Sequence, residues 1–167
     1  MKKSLFVFSF FLLVNINFAQ SNLIRDQLSV DKQNSFSKSL NLINVSTLME
    51  SINNGNAITV FLPSDYAINN MEPAFADQLF NQKNKTAIET FFKRYSIDGL
   101  WDSSKLLSNI DASTTPFTLA NRNSEKFILS RNGQLIMITT PMGFEVNTEF
   151  SLIINNSVIF FMDGLIK

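Results

Sequence analysis

The sequence predicts an α+β fold, and three observations carry that prediction. Apolar residues recur at helical spacing between Phe36 and Leu107. From Phe117 onward, short runs of Ile, Val, Leu and Phe alternate with turn residues, as strands do. Between these regions Ile58-Thr59-Val60-Phe61-Leu62 reads as a buried strand. It runs into Pro63, which has no N–H for a ladder, and then into Ser64-Asp65-Tyr66-Ala67-Ile68. Ser64 or Asp65 is placed to accept from the free N–H groups that begin a helix. Sheet must turn into helix within eleven residues here.

Before the fold begins, residues 1–20 have the layout of an export signal. Lys2 and Lys3 precede a Phe/Leu-rich stretch from Ser4 to Ile16, and Ala19 suits a cleavage site. The apolar stretch is too short to span a bilayer, and nothing downstream reaches that length. Loss of this segment leaves 12 basic and 14 acidic residues, so nothing favours nucleic acid or an anionic membrane. Residues 21–32 read as a flexible N-terminal arm and 33–167 as one domain, large enough to bury a core without disulfides.

In order, Phe36, Leu40, Leu42 and Ile43 mark a first helix. Ser46 caps a second, with Leu48, Met49 and Ile52 inward and Asn53-Asn54-Gly55 ending it. After the strand–helix junction, Met71 to Asn84 is a polar-punctuated region with Phe75, Leu79 and Phe80 facing in. The clearest helix follows, with Ala87, Ile88, Phe91, Phe92 and Tyr95 on one stripe and Lys93-Arg94 in its last turn, where cations suit the dipole. Asp102 or Ser103 caps a one-turn helix ending at Leu106-Leu107. Strands are expected at Phe117–Leu119, Phe127–Leu129, Leu135–Ile138, Phe144–Val146, Ser151–Ile154 and Val158–Met162. In the last of these Val158, Phe160 and Met162 share one face and Ile159 and Phe161 the other. Both faces are apolar, which predicts a central strand.

Thr59, Val60, Phe61, Pro63, Ser64 and Asp65 resemble the first signature box of the fasciclin domain, Thr-Val-Phe-Ala-Pro-Thr-Asn/Asp-x-Ala-Phe. Val158, Ile159, Phe160 and Asp163 resemble its second box, Asn-Gly-Val-Ile-His-Val-Ile-Asp-x-Val-Leu, and Tyr95-Ser96-Ile97-Asp98-Gly99 resembles its Tyr-His-x-x-Pro-Gly stretch. The resemblance spans residues 33–167. It implies a wedge of two β-sheets with several short helices packed along one side, in a single-domain secreted protein. The composition and the Lys-Lys start suggest a bacterial one. Such domains serve adhesion or ligand capture rather than catalysis. Carried over position by position, it points to Tyr95, Ser96, Ser151 and Leu152 for partner contact.

Three departures stand out. Ser96 and Phe160 replace the two histidines of the pattern, and the two positions are expected to face each other through an apolar or hydroxyl contact. Asn156-Ser157 replaces the Asn-Gly turn, so Asn155 or Asn156 should take the positive φ that glycine tolerates. Ser151-Leu152 replaces the Asp-Ile dipeptide of integrin-binding members; without the aspartate, integrin-type adhesion is disfavoured.

The residue inventory argues against an enzyme. Without histidine or cysteine there is no Ser-His-Asp or thiol nucleophile and no usual zinc site, and the five glycines form no phosphate loop. Asp98 and Asp102 around Trp101 are the nearest pair of carboxylates, better read as a loop bond and a helix cap. Ser64-Asp65 reads as a cap, Asp163 as a turn closer, and Phe91, Phe92 and Tyr95 as core. The Asn-x-Ser/Thr tripeptides at Asn44, Asn84 and Asn155 carry no meaning in a bacterial product. The expectation is a secreted, non-enzymatic module that needs no cofactor or metal and contacts an extracellular protein or glycan. The alternative is a carrier of a small apolar ligand held between helices and sheet. The sequence leaves the oligomeric state open.

Overall fold

Seven strands form one hydrogen-bonded series in the order β2-β1-β7-β6-β5-β4-β3. The computed structural model describes residues 24–81 and 84–166; the expected export segment lies outside them. In chain order the elements are α1 (Val30–Ser35), α2 (Ser37–Asn44), α3 (Thr47–Asn53), β1 (Ile58–Pro63), α4 (Asp65–Asn69), α5 (Pro73–Phe80) and α6 (Lys85–Arg94). Then follow β2 (Ser96–Asp98), α7 (Ser103–Ala112), β3 (Phe117–Ala120), β4 (Lys126–Asn132), β5 (Leu135–Thr139), β6 (Glu145–Ile154) and β7 (Ser157–Met162). The class is α+β.

The wedge turns on β6. Its first residues pair with β5 through Asn147, and from Thr148 onward it pairs with β7, with a register irregularity between Thr148 and Phe150. One ten-residue strand therefore serves both sheets. The sequence pattern divides it into two strands, because the irregularity breaks the alternation of side chains. β1 and β7 run parallel, the other neighbours antiparallel. All six residues of each are buried, as two apolar faces require of central strands.

Apolar spacing explains which faces the helices bury. α2 lies on β1 and α4, α3 and α5 lie on α6, and α6 lies on β2, while α7 packs on β4 and β5. Phe36, just ahead of α2, meets Phe161 edge-on at 4.8 Å and Phe150 at 5.8 Å, and those two rings stack at 4.4 Å. On the other face Phe160 stacks on its register partner Phe61 at 5.6 Å.

Several sequence expectations are corrected. Residues 24–32 of the expected arm are fastened at two points rather than loose: Ile24 and Leu28, four apart, join the core, while most of the others are exposed and Val30 begins α1. The polar-punctuated stretch after Met71 contains a regular helix, α5, which buries Leu79 but leaves Phe80 partly exposed beneath the Lys38 ammonium. The helix after Trp101 continues beyond one turn to Ala112, with Leu107 and Ile110 packed against the core.

Candidate functional site

The strand–helix junction is a four-part fastening. The Ser64 hydroxyl accepts from the Ala67 N–H at 3.2 Å and so caps α4, while the Ser64 N–H donates to the Met162 carbonyl at 2.9 Å. Asp65 does something the local sequence does not reveal. Its carboxylate accepts from the Ser37 hydroxyl at 2.6 Å and the Lys38 N–H at 2.8 Å, at the start of α2. The residue preceding α2, Phe36, has no side chain able to cap, so Asp65, 27 positions beyond Lys38, supplies the missing acceptor. Ser39 completes the fastening by donating to the Pro63 carbonyl at 2.5 Å.

Thr59 is fully buried and clasps the loop beyond β2. Its hydroxyl donates to the Gly99 carbonyl at 2.8 Å and accepts from the Trp101 N–H at 2.9 Å. Gly99 has φ +98, and a Cβ there would lie 3.2 Å from the Trp101 indole nitrogen, so both backbone and space favour glycine. Asp102 caps α7 by accepting from Lys105 N–H at 2.8 Å, while Asp98 lies 3.4 Å from Arg122. The cap at Asp102 is as the sequence reading favoured, whereas Asp98 makes a surface ion pair in place of the expected loop bond.

Beside the strand–helix junction, with its carbonyl 3.5 Å from the Ser64 hydroxyl, Asp163 extends the β6–β7 pairing beyond Met162 rather than closing a turn as expected. Its carboxylate accepts from the Asn147 N–H at 3.0 Å, and its own N–H donates to the Asn147 carbonyl at 3.1 Å. Asn155 takes the left-handed position, φ 53, and its amide donates to the Ile52 carbonyl at 3.2 Å. Ser157 donates to the Asn56 carbonyl at 2.8 Å, so the turn before β7 is tied to the end of α3.

The four positions expected to contact a partner fall in two places. Tyr95 and Ser96 are buried. Ser96 donates to the Phe92 carbonyl at 2.6 Å. The Tyr95 ring stacks on Phe91 at 4.2 Å, and its hydroxyl accepts from the Ile166 N–H at 2.9 Å. Burial pushes the Tyr95 phenol well above its ordinary value. Ser151 and Leu152 lie half-buried on β6, with the Ser151 hydroxyl 3.3 Å from that of Ser103. The expected facing of Ser96 and Phe160 does not occur. Ser96 is in register with Val60, and Val60 with Ile159, whereas Phe160 is in register with Phe61. Adjacent strand residues point to opposite faces, so the two positions lie on opposite sides of the sheet.

A cleft of about 540 Å³ opens beside Tyr95. Its apolar lining includes Met71, Phe75, Phe91, Met142, Leu165 and Ile166, and Glu72, Thr90 and Arg94 supply polar groups. Glu125 grips Arg94 side-on, with Nε at 3.1 Å and Nη2 at 2.8 Å from its two oxygens. The guanidinium in turn holds the Glu125 carboxyl below the usual range. Among the described residues no group of acidic side chains is arranged to hold a metal ion, and no helix is long and apolar enough to cross a membrane.

The family model for the fasciclin domain matches residues 34–167, and the chain belongs to that family. Among solved structures it resembles a FAS1 domain pair from the insect cell adhesion molecule fasciclin I, with 15% identity and a TM-score of 0.66. That match covers 83% of this chain and 49% of the other, so this chain spans about half the length of the pair. At that identity the likeness is one of fold. No curated protein sequence gives a significant match. Fasciclin domains are in general extracellular adhesion or binding modules.

Proposed function

We propose that the protein is exported and acts outside the cytoplasm as a non-enzymatic binding module for a surface protein or glycan. The observation that supports this best is how the polar side chains of the two boxes are used. Thr59, Ser64, Asp65 and Asp163 are all engaged in bonds that hold loops and helix ends. Partner contact then falls to the half-buried Ser151-Leu152 strip on β6 and its exposed neighbour Ile153, with Tyr95 and Ser96 supporting from within. Export is tested by N-terminal sequencing of the secreted product, expected to begin between Phe18 and Asn22; an intact Met1 would overturn it. Binding is tested by adhesion of protein-coated beads to cells and immobilised surface glycans. Ile153→Glu should reduce it at unchanged melting temperature, and saturable turnover of a glycoside or ester substrate would refute the non-enzymatic reading.

The cleft beside Tyr95 favours a second reading, capture of a small apolar ligand. Its size and its mostly apolar lining with a few polar groups are those of small-molecule sites. Organic extraction and mass spectrometry of freshly purified protein would reveal a retained ligand.

A further inference from the structure

We infer that this cleft takes a long-chain carboxylate, with the chain lying over Met71, Phe75, Phe91 and Leu165 and the head bound by Arg94. The inference rests on the ligand-capture reading of the cleft and adds the chemistry of the ligand. The apolar part follows from the lining. Flat aromatic walls with the unbranched side chains of Met71 and Met142 adapt to a flexible chain better than a rigid branched wall would. Met142 is largely exposed, so the cleft can be entered from solvent past a movable side chain.

The head follows from the polar groups. The Tyr95 hydroxyl is occupied, since it accepts from the Ile166 N–H and faces the Ile166 carbonyl at 3.4 Å. Arg94 is the cation of the lining, and Glu125 fixes its orientation through Nε and Nη2. Nη1 makes no hydrogen bond among the described residues, which leaves an oriented pair of N–H donors. A planar guanidinium held in place suits a carboxylate oxygen better than a neutral hydroxyl. Thr90 lies one helical turn before Arg94 on α6 and also lines the cleft, offering a hydroxyl on the same side. Glu72 is the opposing charge of the lining. It stands at the N-terminus of α5, where the helix dipole offsets a negative charge, so it weakens the preference without reversing it.

Equilibrium dialysis of the mature protein against decanoate and decan-1-ol tests both parts. Decanoate should bind about tenfold more tightly than the alcohol, and Arg94→Gln should remove about that factor for decanoate only. Glu125→Gln removes the competing charge while its amide oxygen still accepts from one guanidinium N–H and orients it, and should hold or tighten decanoate binding. Glu72→Gln should tighten it. Thr90→Trp, at an exposed position, should fill the cleft and abolish binding of both. If neither compound binds, the capture reading itself falls. Equal binding of both, unmoved by Arg94→Gln, overturns the head assignment while capture stands. Equal losses in Arg94→Gln and Glu125→Gln would show that Arg94 acts only through the fold, which also overturns it.

Discussion

Asp65→Ala should destabilise the domain more than Ser64→Ala, although Ser64 is the residue that caps the adjoining helix. The Asp65 carboxylate makes two short bonds to the start of α2, at 2.6 Å from the Ser37 hydroxyl and 2.8 Å from the Lys38 N–H, and the second donor is one a helix end leaves without an intrahelical partner. Loss of a capping side chain costs about 0.5–2 kcal/mol, and a hydrogen bond to a charged group is worth about 1.5–3. The two bonds share one carboxylate and do not add, so about 2–3 kcal/mol is the expected loss. Ser64→Ala removes two longer bonds, 3.2 and 3.5 Å, and should cost about 1 kcal/mol. Urea denaturation reads the difference. With a slope of about 1–3 kcal/mol per molar, the Asp65→Ala midpoint should fall by about 1 M at unchanged slope. Asp65→Asn keeps one acceptor oxygen and should lose about half as much. A Ser37→Ala/Asp65→Ala cycle isolates the hydroxyl's share. An Asp65→Ala midpoint at or above that of Ser64→Ala would refute the proposed fastening.

Other outcomes follow from the same geometry. Phe160→His should lose about 3 kcal/mol or more by breaking its stack on Phe61, and Ser96→His should not rescue it. Because the two positions lie on opposite faces, their effects should add in denaturation curves; a coupling above about 0.5 kcal/mol would contradict the register. Asn155→Gly should be near neutral in thermal melts, whereas Asn155→Val should cost about 1–2 kcal/mol for a β-branched residue at positive φ. The Tyr95 phenol is raised above its ordinary value of 10.0, so its contribution is complete below that pH and declines as pH rises past it. In a Tyr66→Phe background, which leaves Tyr95 as the only tyrosine, tyrosinate absorbance should appear together with loss of the folded signal. Glu125 is depressed below its ordinary value of 4.5, so the stability it gives is present above that pH and lost on acidification below it. Acid unfolding should therefore be shallower in Glu125→Gln.

Much of the fold was legible because the informative residues act on near neighbours. Pro63 ends a strand, Ser64 caps three residues on, and Phe91, Phe92 and Tyr95 share one helical stripe whatever lies beyond them. Both apolar faces of Val158–Met162 could only belong to a covered strand. What escaped was contact between residues far apart in sequence. Nothing around Asp65 tells that it caps a helix begun at Ser37, nor does anything around Thr59 tell that its hydroxyl holds Gly99 and Trp101. The supposed Ser96–Phe160 contact failed for the same reason. A pairing register of one residue decides which face a side chain takes, and only the assembled sheet fixes it. The cleft is assembled from α5, α6 and the segments around Met142 and Leu165, so its lining has no signature in any single window.

The parallel pairing of β1 with β7 has a consequence for biosynthesis. Val60 and Ile159 are neighbours in the sheet, yet about a hundred positions separate them, and β7 sits in the middle of the series rather than at its rim. The core around Phe61 and Phe160 therefore cannot close until the strand ending at Met162 has been synthesised. Non-local pairing of this kind folds slowly, because the loop entropy must be lost before the contacts form. A chain emerging from the ribosome would stay open over most of its length, a state suited to threading through a translocation channel. β7 is the last strand of the series to be made, and it locks the two sheets together.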